Sequence, residues 1–130
     1  EHPEEVYASW LRILKPGGRI VVFDSGHNKD NFLTKFDHNN EAYREEYRQK
    51  FGREPAVSFE QGQYEAARGW KRELKLTYES RPEWDVAALE RLGYKNVCWE
   101  NVMPQISYSE ELRFQNEGKV YFRLCADKSI

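Results

Sequence analysis

Four residues carry the chemistry this sequence suggests first: Asp24, His27, Asn28 and Trp70. Asp24 closes the run Ile20-Val21-Val22-Phe23 and opens the polar stretch Ser25-Gly26-His27-Asn28. A continuous β-branched and aromatic run suits a strand covered on both faces, as in a parallel sheet. Ligands of open α/β sheets sit beyond the carboxyl ends of such strands. Asp24, His27 and Asn28 then belong to a substrate-facing loop, with Asp24 or His27 as a polar contact or base. The plainer reading of the same loop is an Asp that caps local backbone amides. Trp70 follows Gly69 outside any apolar period, as a lid over a substrate or as an anchor for an insert. His38, between Asp37 and Asn39, reads as a helix-entry residue.

Other chemistries find less support. Cys98 and Cys125 have no metal spacing, either with each other or with His27 and His38, so no metal is expected. The cysteines read as reduced thiols in a cytoplasmic protein, with a disulfide between them as the less favoured alternative. No Ser-His-Asp arrangement can be argued from spacing. The formal net charge of −2 gives no electrostatic reason to expect nucleic acid as a partner. No apolar run approaches the roughly 20 residues a membrane helix needs. Arg44, Arg48 and Arg53 are interleaved with Glu41, Glu45, Glu46 and Glu54, which reads as a solvated helix face more than an anion site.

The elements that must position these residues follow from periodicity. Pro3 to Leu14 reads as a helix with Pro in its first turn and Val6, Trp10, Ile13 and Leu14 as its apolar stripe. Lys15-Pro16-Gly17-Gly18 stops it, and the strand through Phe23 follows. Glu41 to Phe51 reads as a helix with Tyr43, Tyr47 and Phe51 on one face, a stripe that suits packing better than a ligand cage. Ser58-Phe59-Glu60-Gln61 resembles a capping box for a short helix reaching about Arg68. Leu74, Leu76 and Tyr78 alternate with polar residues, which predicts a short strand. Trp84, Ala88, Leu89 and Leu92 mark another helix, capped by Gly93. Strands over Lys95 to Val102 and Lys119 to Ala126 close the chain, separated by a polar connection with a helical turn at Ser109 to Phe114. Two strands with no full helix between them predict an antiparallel final pair.

This order resembles the C-terminal part of class I S-adenosylmethionine (SAM)-dependent methyltransferases. Leu14-Lys15-Pro16-Gly17-Gly18-Arg19 is similar to the turn that precedes the family's fifth strand. Leu89-Glu90-Arg91-Leu92-Gly93-Tyr94-Lys95-Asn96-Val97 is similar to the approach to its sixth. Val120-Tyr121-Phe122-Arg123-Leu124 is similar to the antiparallel seventh, which lies between the other two. Tyr7-Ala8-Ser9-Trp10-Leu11-Arg12 and Arg81-Pro82-Glu83-Trp84-Asp85 look closest to small-molecule enzymes of the quinone-biosynthesis-like type.

The resemblance implies an α/β fold: the C-terminal half of a Rossmann-like methyltransferase sheet, in strand order five, seven, six, with residues 29–78 as a helical or irregular insert on the substrate side. It implies a parent enzyme that transfers a methyl group from SAM to a small molecule. The sequence has no Gly-x-Gly-x-Gly loop after a first strand and no acidic end of a second strand for the cofactor ribose. No cofactor is therefore expected on this chain alone. The strand at Ile20 to Phe23 would lack its family neighbour, and such an open apolar edge implies a homo-oligomer. Two rivals remain: a non-catalytic binding or assembly module on a Rossmann-like remnant, and a nicotinamide-dependent oxidoreductase, which the antiparallel ending disfavours.

Overall fold

In a computed structural model of the chain, residues 2–26, 41–55, 73–117 and 120–130 are described. The expected helix after Ser58, together with His27, Asn28, His38 and Trp70, lies outside the described residues.

Helix α1 covers Pro3–Ile13, with Pro in its first turn beside Glu4 and Glu5, where carboxylates suit the helix dipole. Leu14 then turns extended, and Gly17 takes φ +73°, a conformation glycine adopts without a Cβ penalty. The turn is tied to the far end of the chain: Gly17 N–H donates to Lys128 O, and Lys128 N–H to Gly18 O. Strand β1 follows over Arg19–Gly26. Helix α2 spans Glu41–Phe51.

Lys75–Tyr78 forms one turn of 3₁₀ helix, not the strand that its alternation predicts. Leu74 and Tyr78 stay exposed, so there is no apolar face for a strand there to bury. Helix α3 spans Glu83–Arg91. It closes in a Schellman arrangement, with Tyr94 N–H to Leu89 O, Gly93 N–H to Glu90 O, and Gly93 at φ +94°. Strand β2 is Lys95–Asn101, followed by the short helices α4 at Met103–Ile106 and α5 at Glu110–Gln115. The Ser109 side chain caps α5 by accepting from Leu112 N–H. Strand β3 is Val120–Asp127.

The molecule is mixed α/β, and its three strands lie in the order β1-β3-β2. The last strand sits in the middle and runs antiparallel to both neighbours, so β1 and β2 point the same way. Register sets the faces. Ile20, Val22 and Asp24 pair with Ala126, Leu124 and Phe122 on the face that carries the core. Tyr7 of α1, Ala88 and Leu89 of α3, and Tyr94 complete that core, with Leu11, Leu14, Trp84 and Leu92 packed around it.

Two expectations change here. The buried stripe of α1 is Tyr7, Leu11 and the expected Leu14, whereas Val6 and Trp10 are partly exposed and Ile13 stays largely in solvent. Both sets recur at helical spacing. The phenol decides between them, because it finds a partner inside. Among the described residues, strand β1 is covered on one face only, and its outward residues Val21 and Phe23 are 51% and 56% exposed.

A second, smaller cluster joins α2 to α5. Tyr43, Tyr47 and Phe51 meet Phe114, with ring centroids 5.6 to 6.0 Å apart. Tyr47 Oη donates to Glu111, which also takes Arg53. The stripe read from the sequence is therefore packing, as expected.

Candidate functional site

Strand β1 delivers Asp24 to the covered face of the sheet near the strand's carboxyl end. The strand's pleat forces this, since Asp24 lies two residues beyond the inward Val22. What it meets there is Arg81, from the segment that enters α3. Arg81 Nη1 donates to Asp24 Oδ2 at 2.7 Å, and Ser25 N–H donates to Asp24 Oδ1 at 2.8 Å. The plainer reading of Asp24, a cap on a local amide, is met; its bond to a distant cation is a contact that neither reading of the sequence contained.

Arg81 is the centre of the arrangement. Its Nε and Nη2 grip Asp85 in a fork, at 2.9 and 2.8 Å. Asp85 is fully buried, and the Arg81 side chain is 9% exposed. The guanidinium also lies over the Phe122 ring, 5.4 Å from its centroid. Tyr7 Oη donates to Asp85 Oδ1 at 2.5 Å, and Tyr94 Oη donates to the Tyr7 carbonyl at 2.7 Å. A line of bonds therefore runs from α1 through α3 to the end of β1.

The electrostatics follow from this geometry. Burial, then the bond to Asp85, pushes the Tyr7 hydroxyl well above its ordinary value of 10.0. Tyr7 is thus a fixed donor and a poor base. Burial alone would depress Arg81, but bonds to Asp85 and Asp24 and their charges outweigh it, so the guanidinium is held charged. One cation faces two carboxylates, which leaves the group one negative charge in excess. That charge reaches solvent through Asp24, whose side chain is 45% exposed. The site can accept hydrogen bonds from a hydroxyl or amine, and Asp24 is the group that would do so.

Backbone packing fixes the same corner. A Cβ on Gly26 would stand 2.8 Å from the carbonyl oxygen of Arg81. Gly26 is therefore where β1 passes directly against the entry to α3.

Of the four residues expected to meet a substrate, Asp24 lies within β1, which continues through Gly26 paired to β3, and not in the loop that the sequence suggested. His27, Asn28 and Trp70 lie outside the described residues. Sequence reasoning missed Asp85 and the role of Tyr7. A signal for Asp85 was present: it sits three, four and seven residues before Ala88, Leu89 and Leu92. A carboxylate on the apolar face of a helix requires a buried partner, and Arg81 stands four residues upstream.

Gly17 and Gly18 lie at the amino end of β1, away from Asp24, and the space beside Gly18 is filled by Lys15 O, 2.8 Å from where a Cβ would be. Gly26 is filled from within the protein as well. Among the described residues, no group of three or more His, Cys, Asp or Glu could hold a metal ion, and no helix is long and apolar enough to cross a membrane. A surface depression of about 340 Å³ lies elsewhere, lined by Pro3, Ala8, Lys75, Trp84 and Leu92 among others. Comparisons with protein-family models, with curated proteins and with solved structures give no match.

Proposed function

We propose that this chain is the acceptor-side half of a class I SAM-dependent methyltransferase, acting in the cytoplasm on a small, partly apolar molecule. The observation that carries this reading is the sheet: an antiparallel strand between two strands that run in the same direction, in the order β1-β3-β2. That is the fifth-seventh-sixth arrangement the family resemblance implies. The half-exposed carboxylate at the carboxyl end of β1 supports it, because that is where an α/β sheet places its ligand. In this reading Asp24 orients a hydroxyl or amine of the methyl acceptor. Arg81 sets the angle of that carboxylate, and Asp85 with Tyr7 sets Arg81. The proposed enzyme needs a cofactor cradle in addition to these elements.

The test is chemical-shift mapping of the isotope-labelled chain against a panel of small hydroxylated aromatic molecules. Shifts centred on Asp24 to Gly26 and on Arg81, lost in Asp24→Asn, are the expected result. Binding centred on the depression beside Pro3 and Trp84, or none at all, would overturn the role given to Asp24.

A second reading is a non-catalytic assembly module. It is favoured by one feature: Val21 and Phe23 hold an apolar patch on the outer face of the sheet, next to the edge of β1 at which no described strand pairs. Such an edge favours association of two copies.

A further inference from the structure

We propose that Cys98 and Cys125 form a reversible dithiol–disulfide site across strands β2 and β3. The two residues are direct partners in the β2–β3 register, and both are free thiols. Direct opposition places both side chains on the same face of the sheet, which is the face turned away from α1 and α3. Cys98 is exposed there and Cys125 half-buried.

The distance follows from the ladder. Val102 N–H donates to Tyr121 O at 2.8 Å, so those two residues are a hydrogen-bonded pair. From Cys98 to Asn101 the register runs without a break, and the irregularity lies on the other side, between Lys95 and Cys98. Pairs alternate along an antiparallel ladder, so Cys98 and Cys125, four residues along, are of the hydrogen-bonded kind, with Cα atoms about 5.5 Å apart. That lies inside the range of about 4.4 to 6.8 Å that a disulfide spans. Facing Cβ atoms stand about 4.5 to 5.5 Å apart, whereas a disulfide wants about 3.5 to 4.5 Å. Closing the bond draws the strands slightly together. A bond formed under that strain is easily reduced, which is the behaviour of a labile disulfide and not of a structural one. The irregularity beside Cys98, with Asn96 at φ +52°, is where β2 can yield.

The oxidant is a low-molecular-weight disulfide of the glutathione type. The Cys98 thiol, more accessible, attacks one sulfur of that disulfide, loses its proton and releases one small thiol. Cys125 then attacks the Cys98 sulfur, loses its proton and releases the second. Two protein thiols give up two electrons and two protons, and one small disulfide becomes two small thiols. The Glu100–Arg123 and Arg19–Asp127 ion pairs flank the site on the same face and keep it polar at its borders.

The experiment incubates the purified chain in buffers of oxidised and reduced glutathione, quenches with an alkylating reagent and reads intact mass and peptide maps. The expected product is a monomer lighter by two hydrogens, with one Cys98–Cys125 cross-linked peptide that reduced glutathione reopens. Its equilibrium yield relative to reduced protein should be at least ~10-fold greater in native buffer than in denaturant, because the fold raises the effective concentration of one thiol at the other. Cys125→Ser should accumulate a mixed disulfide at Cys98. Should that variant not fold, Cys98→Ser should take up glutathione at the half-buried Cys125 more slowly than the native protein reacts at the exposed Cys98, and an equal rate would overturn the order of attack. A mixed disulfide that persists in the native protein would overturn the proposal. So would cross-linking only between chains, a yield no higher than in denaturant, or no oxidation at all.

Discussion

At the scale of single residues, one buried carboxylate governs the site. Asp85 is fully enclosed and satisfies Arg81 twice and Tyr7 once. Removing it leaves a guanidinium buried without its main partner. Asp85→Ala should therefore cost about 3–5 kcal/mol in denaturant unfolding. Tyr7→Phe removes one bond to a charged acceptor and should cost about 1.5–3 kcal/mol. Asp24→Ala, at a half-exposed position, should cost no more than about 1 kcal/mol. An Asp24 variant as damaging as the Asp85 variant would show that the cluster is not centred where the structure puts it.

Titration gives a second reading at the same scale. Tyr7 has its folded value raised above 10.0, so its neutral form is the one the fold favours. Its contribution is complete below pH ~10 and is lost as pH climbs beyond that. Asp127 behaves oppositely. Bonds from Arg19 and Asn96 hold it at about 2 against an ordinary 3.8, so its contribution is present above pH 3.8 and fades as pH falls towards 2. Tyr7→Phe should flatten the alkaline limb of a stability–pH curve and Asp127→Asn the acid limb. An unchanged curve in either variant would contradict the assigned partner.

Elements were far more legible in the sequence than the site. Amphipathic spacing located Glu41–Phe51 at both ends, and Gly93 marked the close of α3 because its positive φ is written in its residue type. The β3 stripe of Val120, Phe122, Leu124 and Ala126 gave its buried face directly. On α1 hydrophobicity placed Leu14 against the core correctly but missed Tyr7 and Leu11 in favour of Val6, Trp10 and Ile13, because the bond from Tyr7 to Asp85 favours the other side of the helix. The turn at Lys75–Tyr78 misled for a related reason: alternation predicts a strand only where a sheet exists to receive it. Asp24 stood out as the carboxylate that closes an apolar run, but the loop expected from Asp24 onward is strand as far as Gly26, because β3 extends far enough to pair with it. The Arg81 bridge was not legible, because it joins residues 57 apart in sequence.

Gly26→Ala should cost about 1–3 kcal/mol, since the added methyl meets a backbone carbonyl that cannot swing away. A neutral result would mean that β1 does not pass so close to Arg81. Phe114→Ala should loosen α2, whose three aromatic residues pack on that ring. Hydrogen exchange should then quicken across Glu41–Phe51 while β3 keeps its protection. Equal loss in both would show one cooperative unit and not two clusters.

At the scale of the whole molecule, one face of the sheet is layered by α1 and α3, and the other keeps Val21 and Phe23 half in solvent. A strand edge beside an apolar patch invites a second copy. Sedimentation should show concentration-dependent association, weakened in Phe23→Lys. A monomer at all concentrations would remove that expectation. The sheet order also makes the cofactor question a direct one, because the acceptor side and the cofactor cradle lie on different stretches of polypeptide in the proposed enzyme. The decisive measurement is calorimetric titration of SAM into the 130-residue chain and into the complete product of its gene. Negligible heat from the former and one-to-one binding by the latter is the result expected. Tight one-to-one binding by the 130 residues alone, or none by the complete product, would contradict the assignment.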